Sequence, residues 1–135
     1  MPFAEARRTS IHAAGAILAF LGFSSTTLAA DVEAGKAAFR QQCALCHTAE
    51  PGDSGGAQGP SLHGIFGKPA ASNPAFTYTQ ALRNSKLTWD AATLDRFLTE
   101  PTSVVPGTSM VIPVPQKADR ENIIAYLESV RNAGS

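Results

Sequence analysis

Apolar positions along the chain form one continuous run near its start and then several short helical rhythms separated by loops. Ile11 to Phe23 is mostly apolar, broken only by His12. Further on, Gly35, Ala38, Phe39 and Gln42-Cys43 recur at three and four residues. That spacing predicts a helix capped by Asp31 and running straight into Cys43. Pro51 to Pro60 reads PGDSGGAQGP, whose glycines and prolines forbid regular structure and predict an exposed loop. The apolar pattern resumes at once with Leu62, Ile65 and Phe66, so the loop does not separate two domains. Thr79 to Asn84 predicts a short helix, and Asp90 caps another that carries Leu94, Phe97 and Leu98. This second helix must end near Glu100, because Pro101 follows. Pro106-Gly107 marks a turn. Lys117 to Arg131 predicts an amphipathic helix with Ile123, Tyr126, Leu127 and Val130 on one stripe and Arg120, Glu121, Glu128 and Arg131 off it. The pattern contains no strand and no internal repeat.

These elements describe an all-α domain with unusually long loops. Short helices bury little apolar surface by themselves, whereas loops wrapped around a large flat apolar ligand can share it as their core. The chain has 135 residues, enough for one small domain. Eleven Lys+Arg stand against eleven Asp+Glu, which excludes a phosphate-collecting surface, and with it nucleic acid or a polybasic membrane contact. Two cysteines are too few for a disulfide framework.

Residues 1–30 read as a secretory signal peptide. Arg7 and Arg8 make the positive start, the run to Phe23 follows, and Thr27-Leu28-Ala29 or Leu28-Ala29-Ala30 offers a cut after Ala29 or Ala30. The apolar run is too short for an anchor, since its thirteen residues reach ~20 Å against a hydrocarbon core of ~30 Å. The mature domain is then 31–135, with a periplasmic location expected. Losing Arg7, Arg8 and Glu5 leaves nine basic and ten acidic residues, a net charge of −1.

Cys43-Ala44-Leu45-Cys46-His47 has the C-x-x-C-H spacing of covalent haem attachment. Both thiols add to porphyrin vinyl groups, and the adjacent imidazole meets the iron. Chance placement of two cysteines and a histidine gives this arrangement roughly three times in ten thousand. A redox dithiol would need a βαβ setting, and a zinc site would have to recruit a further ligand such as His63 or Asp53. A short structural disulfide is the remaining bland alternative. Haem c, bound through Cys43 and Cys46, is the expected cofactor. For the sixth iron position, Met110 is the only methionine of the mature chain and follows the stiff Pro106-Gly107 turn. The other mature histidine, His63, reads as a hydrogen-bonded structural residue, so Met110 is the better candidate.

From Gly35 to Leu127 the sequence resembles the class I cytochromes c, close to mitochondrial cytochrome c and the soluble shuttles of bacteria. The resemblance rests on Gly35 and Phe39, Cys43 to His47, Gly59-Pro60-Ser61-Leu62-His63-Gly64, Phe76-Thr77-Tyr78-Thr79, Trp89, Pro106-Gly107-Thr108 with Met110, and Ile124-Ala125-Tyr126-Leu127. It implies the cytochrome c fold, with four to five short helices and long loops wrapped around one covalent haem. It further implies that His47 and Met110 are axial ligands and that the Pro60 carbonyl fixes the His47 ring. Tyr78 and Trp89 would hydrogen-bond a buried propionate, and Gly35 would let the first and last helices cross near Phe39, Ile123 and Tyr126.

A thioether favours Fe(II) and raises the potential, and a saturated iron leaves single-electron transfer as its work, so the resemblance implies a carrier rather than an enzyme. Its partners would be redox proteins: membrane cytochrome complexes, oxidases or dehydrogenases, met transiently by a monomer. Two other readings are a haem protein with an open site for peroxidase or gas-binding activity, and the haem module of a dehydrogenase complex. The chain also departs from the family. Leu82 and Phe97 stand where Asn and Tyr are common, and Ile112 replaces an aromatic residue. Gln42, Thr102, Ser103 and Ser109 occupy positions where mitochondrial proteins carry lysine, which predicts a partner with an uncharged patch.

Overall fold

The computed structural model describes residues 29–131, so the signal peptide lies outside the described residues except for Ala29 and Ala30. Within them the chain forms five helices: α1 (Val32–Gln42), α2 (Gln80–Asn84), α3 (Ala91–Thr99), α4 (Pro101–Val104) and α5 (Lys117–Ser129). Extended pairing among the described residues is confined to two isolated bridges, Thr48 with Ser61 and Pro69 with Thr88.

Three helices start where a short polar side chain precedes an apolar run. The Asp31 carboxylate accepts from the backbone N–H groups of Glu33 and Ala34, at 2.8 and 3.1 Å. Thr79 Oγ1 accepts from Leu82 N–H at 3.2 Å, and Asp90 from Thr93 N–H at 2.7 Å. Each cap satisfies donors that the first turn leaves free. Pro101 stops α3 as expected, but it also occupies the first turn of α4, a piece the sequence reading did not contain. Proline is at home there because it lacks only an N–H that the first turn would leave unpaired.

The two chain ends carry the main packing. α1 and α5 cross, with Gly35 buried at the contact and the Phe39 and Tyr126 rings 5.5 Å apart. Ile123 and Leu127 fill the space beneath them, both nearly inaccessible to solvent. Asp31 N–H donates to Asn122 Oδ1 at 2.8 Å and closes the crossing at its outer edge. α3 packs on α4 and α5 and supplies Leu94, Phe97 and Leu98 to the same core.

Arg120 overturns part of the sequence reading. The pattern puts it off the buried stripe of α5, yet its side chain is only 10% exposed and is paired with Asp95 of α3 at 2.7 Å. α5 also ends at Ser129, two residues before Arg131.

Candidate cofactor site

Between the α1 end, the glycine-rich loop, α3 and the segment after α4 lies a cavity of about 280 Å³. Cys43, Cys46, His47, Pro60, Tyr78, Trp89 and Met110, distant in sequence, all line it. Its remaining wall is mostly apolar, with Leu62, Ile65, Phe97, Leu98 and Ile123 prominent and Gln42, Gln58, Thr79, Thr108 and Ser109 as its polar members.

The Cys43–His47 segment is shaped by its own backbone. Cys43 caps the C-terminus of α1, its N–H donating to Phe39 O at 2.8 Å. The N–H groups of Cys46 and His47 both donate back to Cys43 O, at 3.0 and 2.9 Å. This single tight turn brings two thiols and an imidazole to one wall. Cys43 and Cys46 are not joined in a disulfide. Burial pushes the Cys43 thiol up to about 11, with the neighbouring Cys46 adding to the rise, so it is protonated at neutral pH.

His47 Nδ1 lies 2.9 Å from Pro60 O. A carbonyl can only accept, so Nδ1 carries the proton and donates, which leaves the Nε2 lone pair free for a metal. Burial holds the imidazole below its ordinary pKa, and the bond to Pro60 offsets part of that fall. Gly59 presses on the ring from one side: a Cβ there would stand 2.3 Å from Cε1. At Gly56 a Cβ would lie 2.2 Å from Cys46 O. The loop predicted only as an exposed connection therefore also clamps the Cys46-His47 backbone and ring. Glycines inside a glycine-rich run carry no pattern that marks such a contact, although Gly59 beside Pro60 is a hint.

Met110 is half-buried at the far end of the chain segment that follows α4. Thr108 N–H donates to Val105 O at 3.0 Å, enclosing Pro106-Gly107 in a turn with Gly107 at φ 90°. Proline first and a positive-φ glycine second is the type II signature. Met110 N–H then donates to Thr108 Oγ1 at 3.3 Å. His63, the rival for the sixth position, does not line the cavity. Among the described residues its side chain meets no protein hydrogen-bond partner at Nδ1, in contrast to the expected bonded histidine, and its backbone N–H donates to Ser61 Oγ at 3.3 Å.

Trp89 is buried edge-on to Phe97, with ring centroids 5.1 Å apart. Tyr78 is half-buried against Phe76, and burial raises its phenol above the ordinary value. At the cavity mouth Val111 and Ile112 are 61% and 60% exposed, and Leu45, between the two cysteines, is 83% exposed.

The residues fit a covalent haem. The apolar wall suits a flat macrocycle, the paired thiols stand at its border, and an imidazole nitrogen and a soft thioether are the donors iron takes in electron carriers. Among the described residues no group of three or more His, Cys, Asp and Glu side chains gathers as a zinc site would require.

Residues 32–131 match the family model described as cytochrome c. The chain is 44% identical over 108 residues to cytochrome c2 of Rhodoblastus acidophilus, covering 79% of this chain and 99% of that protein. It is 42% identical over 109 residues to cytochrome c2 of Rhodomicrobium vannielii, covering 77% and 82%. To cytochrome c of Sesamum indicum it is 38% identical over 99 residues, covering 73% and 88%.

Proposed function

The chain belongs to the cytochrome c family, and from that premise we propose an exported, monomeric, periplasmic electron carrier whose axial ligands are His47 and Met110. A haem c bound here supplies a one-electron couple at its iron. Cys43 and Cys46 hold it by thioethers. Pro60 and Gly59 fix the His47 ring so that Nε2 faces the metal, while Tyr78 and Trp89 serve a propionate. The apolar wall excludes water, and the turn at Pro106-Gly107 presents the Met110 sulfur.

One observation carries this reading. Two thiols, an imidazole whose Nδ1 is committed to Pro60, and the single thioether of the mature chain converge on one apolar cavity. With both axial positions filled by side chains, no site is left for substrate, so the protein passes electrons without converting a substrate. Val111 and Ile112 line the cavity and are exposed, apolar side chains through which a redox partner could approach the haem edge.

The test is the absorption spectrum of the reduced protein with and without carbon monoxide, alongside mass spectrometry of the exported form. An unchanged spectrum and a mature chain beginning at Ala30 or Asp31 support the proposal. Rapid formation of a carbon monoxide complex would establish an open-site protein instead.

A further inference from the structure

The segment that carries Met110 has few ways to be held in place. Upstream it is fixed by the turn at Pro106-Gly107 and by the bond from Met110 N–H to Thr108 Oγ1. Downstream, Val111, Ile112 and Pro113 are exposed. No backbone N–H in that stretch donates to a protein acceptor among the described residues. Pro113 and Pro115 have no N–H to give, so Pro115 can be anchored through hydrogen bonding only by its carbonyl.

The downstream anchor is Arg120. Its Nη1 donates to Val114 O and to Pro115 O, both at 3.0 Å, and its Nε donates to Asp95 Oδ1 at 2.7 Å. Val114 is held a second time, its N–H donating to Leu98 O at 2.7 Å. The guanidinium thus ties three elements together: α5, which carries it, α3, which carries Asp95, and the loop running back to Met110. Its planar fork suits several fixed acceptors at once, which the point charge of a lysine does not.

We infer that Arg120 is a positioning residue for iron ligation, keeping the Met110 loop closed over the cavity by clamping the Val114 and Pro115 carbonyls against α3. The inference rests on the reading of Met110 as the axial ligand. Local opening of a loop is governed by the few bonds that close it, and breaking those raises the open population without unfolding the whole chain. Loss of Arg120 should therefore loosen the Met110 loop more than it loosens the fold.

The experiment compares haem-loaded Arg120→Gln, Arg120→Lys and Asp95→Asn with the unaltered protein and with two controls, Tyr126→Phe and Met110→Ala. Tyr126 lies off the cavity wall, and its hydroxyl bonds Glu50, so its loss tests plain destabilisation. In the reduced proteins the rate of carbon monoxide combination is expected to rise about tenfold or more in Arg120→Gln. A smaller rise is expected in Arg120→Lys and Asp95→Asn. Tyr126→Phe should stay within about twofold of the unaltered protein even as its denaturation midpoint falls. In the oxidised proteins the long-wavelength sulfur-to-iron band should be lost at a lower pH in Arg120→Gln than in Tyr126→Phe. Rates and band for the Arg120 and Asp95 variants that match Tyr126→Phe would overturn the proposal. If Arg120→Gln does not fold, Asp95→Asn decides the question by the same measurements. A Met110→Ala rate no faster than that of the unaltered protein would instead remove the axial reading on which the inference rests.

Discussion

The α-carbon of Gly35 rests so close to Asn122 that a Cβ on it would lie 1.9 Å from the Asn122 carbonyl oxygen and 2.5 Å from the carbonyl carbon. The obstacle is helix backbone, which cannot rotate aside as a side chain can. Gly35→Ala should therefore push α1 and α5 apart and lower stability by about 3 kcal/mol, despite alanine's better helix propensity. Denaturant titration of the haem-loaded variant measures this, and a loss below about 1 kcal/mol would show that the crossing yields easily.

Met110→Ala should open the iron. The oxidised spectrum loses its long-wavelength sulfur band, the reduced form binds carbon monoxide, the potential falls, and peroxidase side activity emerges. Persistence of the band in the variant would assign the ligand elsewhere.

Leu82 and Phe97 give the cavity wall apolar groups where hydrogen-bonding ones are common in the family. Thr108 Oγ1 already accepts from Met110 N–H, and Thr79 Oγ1 from Leu82 N–H. A buried water needs about two to four polar partners, so none should be ordered beside the Met110 sulfur. A high-resolution crystal structure of the loaded protein checks this, and a well-defined water within hydrogen-bond reach of the sulfur would refute it.

Lys36 is paired with Glu50 and Lys117 with Glu121, which leaves Lys68 and Lys86 as the lysines without an ion pair among the described residues. Of the cavity-lining residues, Gln42, Ser109, Val111 and Ile112 are exposed and uncharged, as are Gln41, Ala44, Thr102, Ser103 and Pro113, which are expected around the same edge. Coulomb steering should be weak, so the second-order electron-transfer rate with the natural partner should change by less than about tenfold between low and physiological salt. A steep decline on adding salt would point to a local positive patch around Arg40, Lys68 or Lys86.

Glu50 accepts from Lys36 at 3.0 Å and from the Tyr126 hydroxyl at 3.2 Å, which holds its carboxyl below the ordinary range. Arg40 adds to this pull. A depressed pKa in the fold contributes stability that is present above the unfolded value of 4.5 and lost as pH falls through the folded one. Tyr126 works at the other end. Burial, with Glu50 beside it, pushes the phenol up to about 12, so stability falls as pH rises from 10 toward that value. Glu50→Gln should flatten the acid side of the stability–pH curve, and Tyr126→Phe the alkaline side. Unaltered slopes in both variants would mean that other groups set them.

How much of this was legible beforehand depends on what each residue's role consists of. Asp31 and Asp90 announce helices because a cap is a local exchange between one side chain and the next turn, visible within four residues, whereas Thr79, which the pattern places inside a helix, turns out to be the cap of α2. Cys43 to His47 announces the site because covalent attachment fixes spacing along the chain. Pro101 misled by half, since the residue that ends one helix is well suited to begin another. Arg120 was placed by its charge on the solvent side, although it stands three residues before Ile123 and so shares that buried face. Its acceptors are carbonyls of a distant loop, and carbonyls have no residue type to read. Gly59 escaped for a related reason: its role is to leave room for the His47 ring, and an absent side chain leaves no periodic trace.

Asp31 and Asn122 are 91 positions apart, so α1 and α5 can meet only once all the chain between them is present. Closing a loop of that size costs only about 2 kcal/mol more than closing one of ten residues, because the entropy grows with the logarithm of length. The barrier is therefore one of timing. Cys43, Cys46 and His47 lie close behind α1, so the α1–α5 crossing can close beside them only after the whole intervening chain has been drawn in. Until it closes, the two thiols and the imidazole belong to a local turn whose own backbone bonds need nothing from α5, so the segment can take shape before the packing that encloses it.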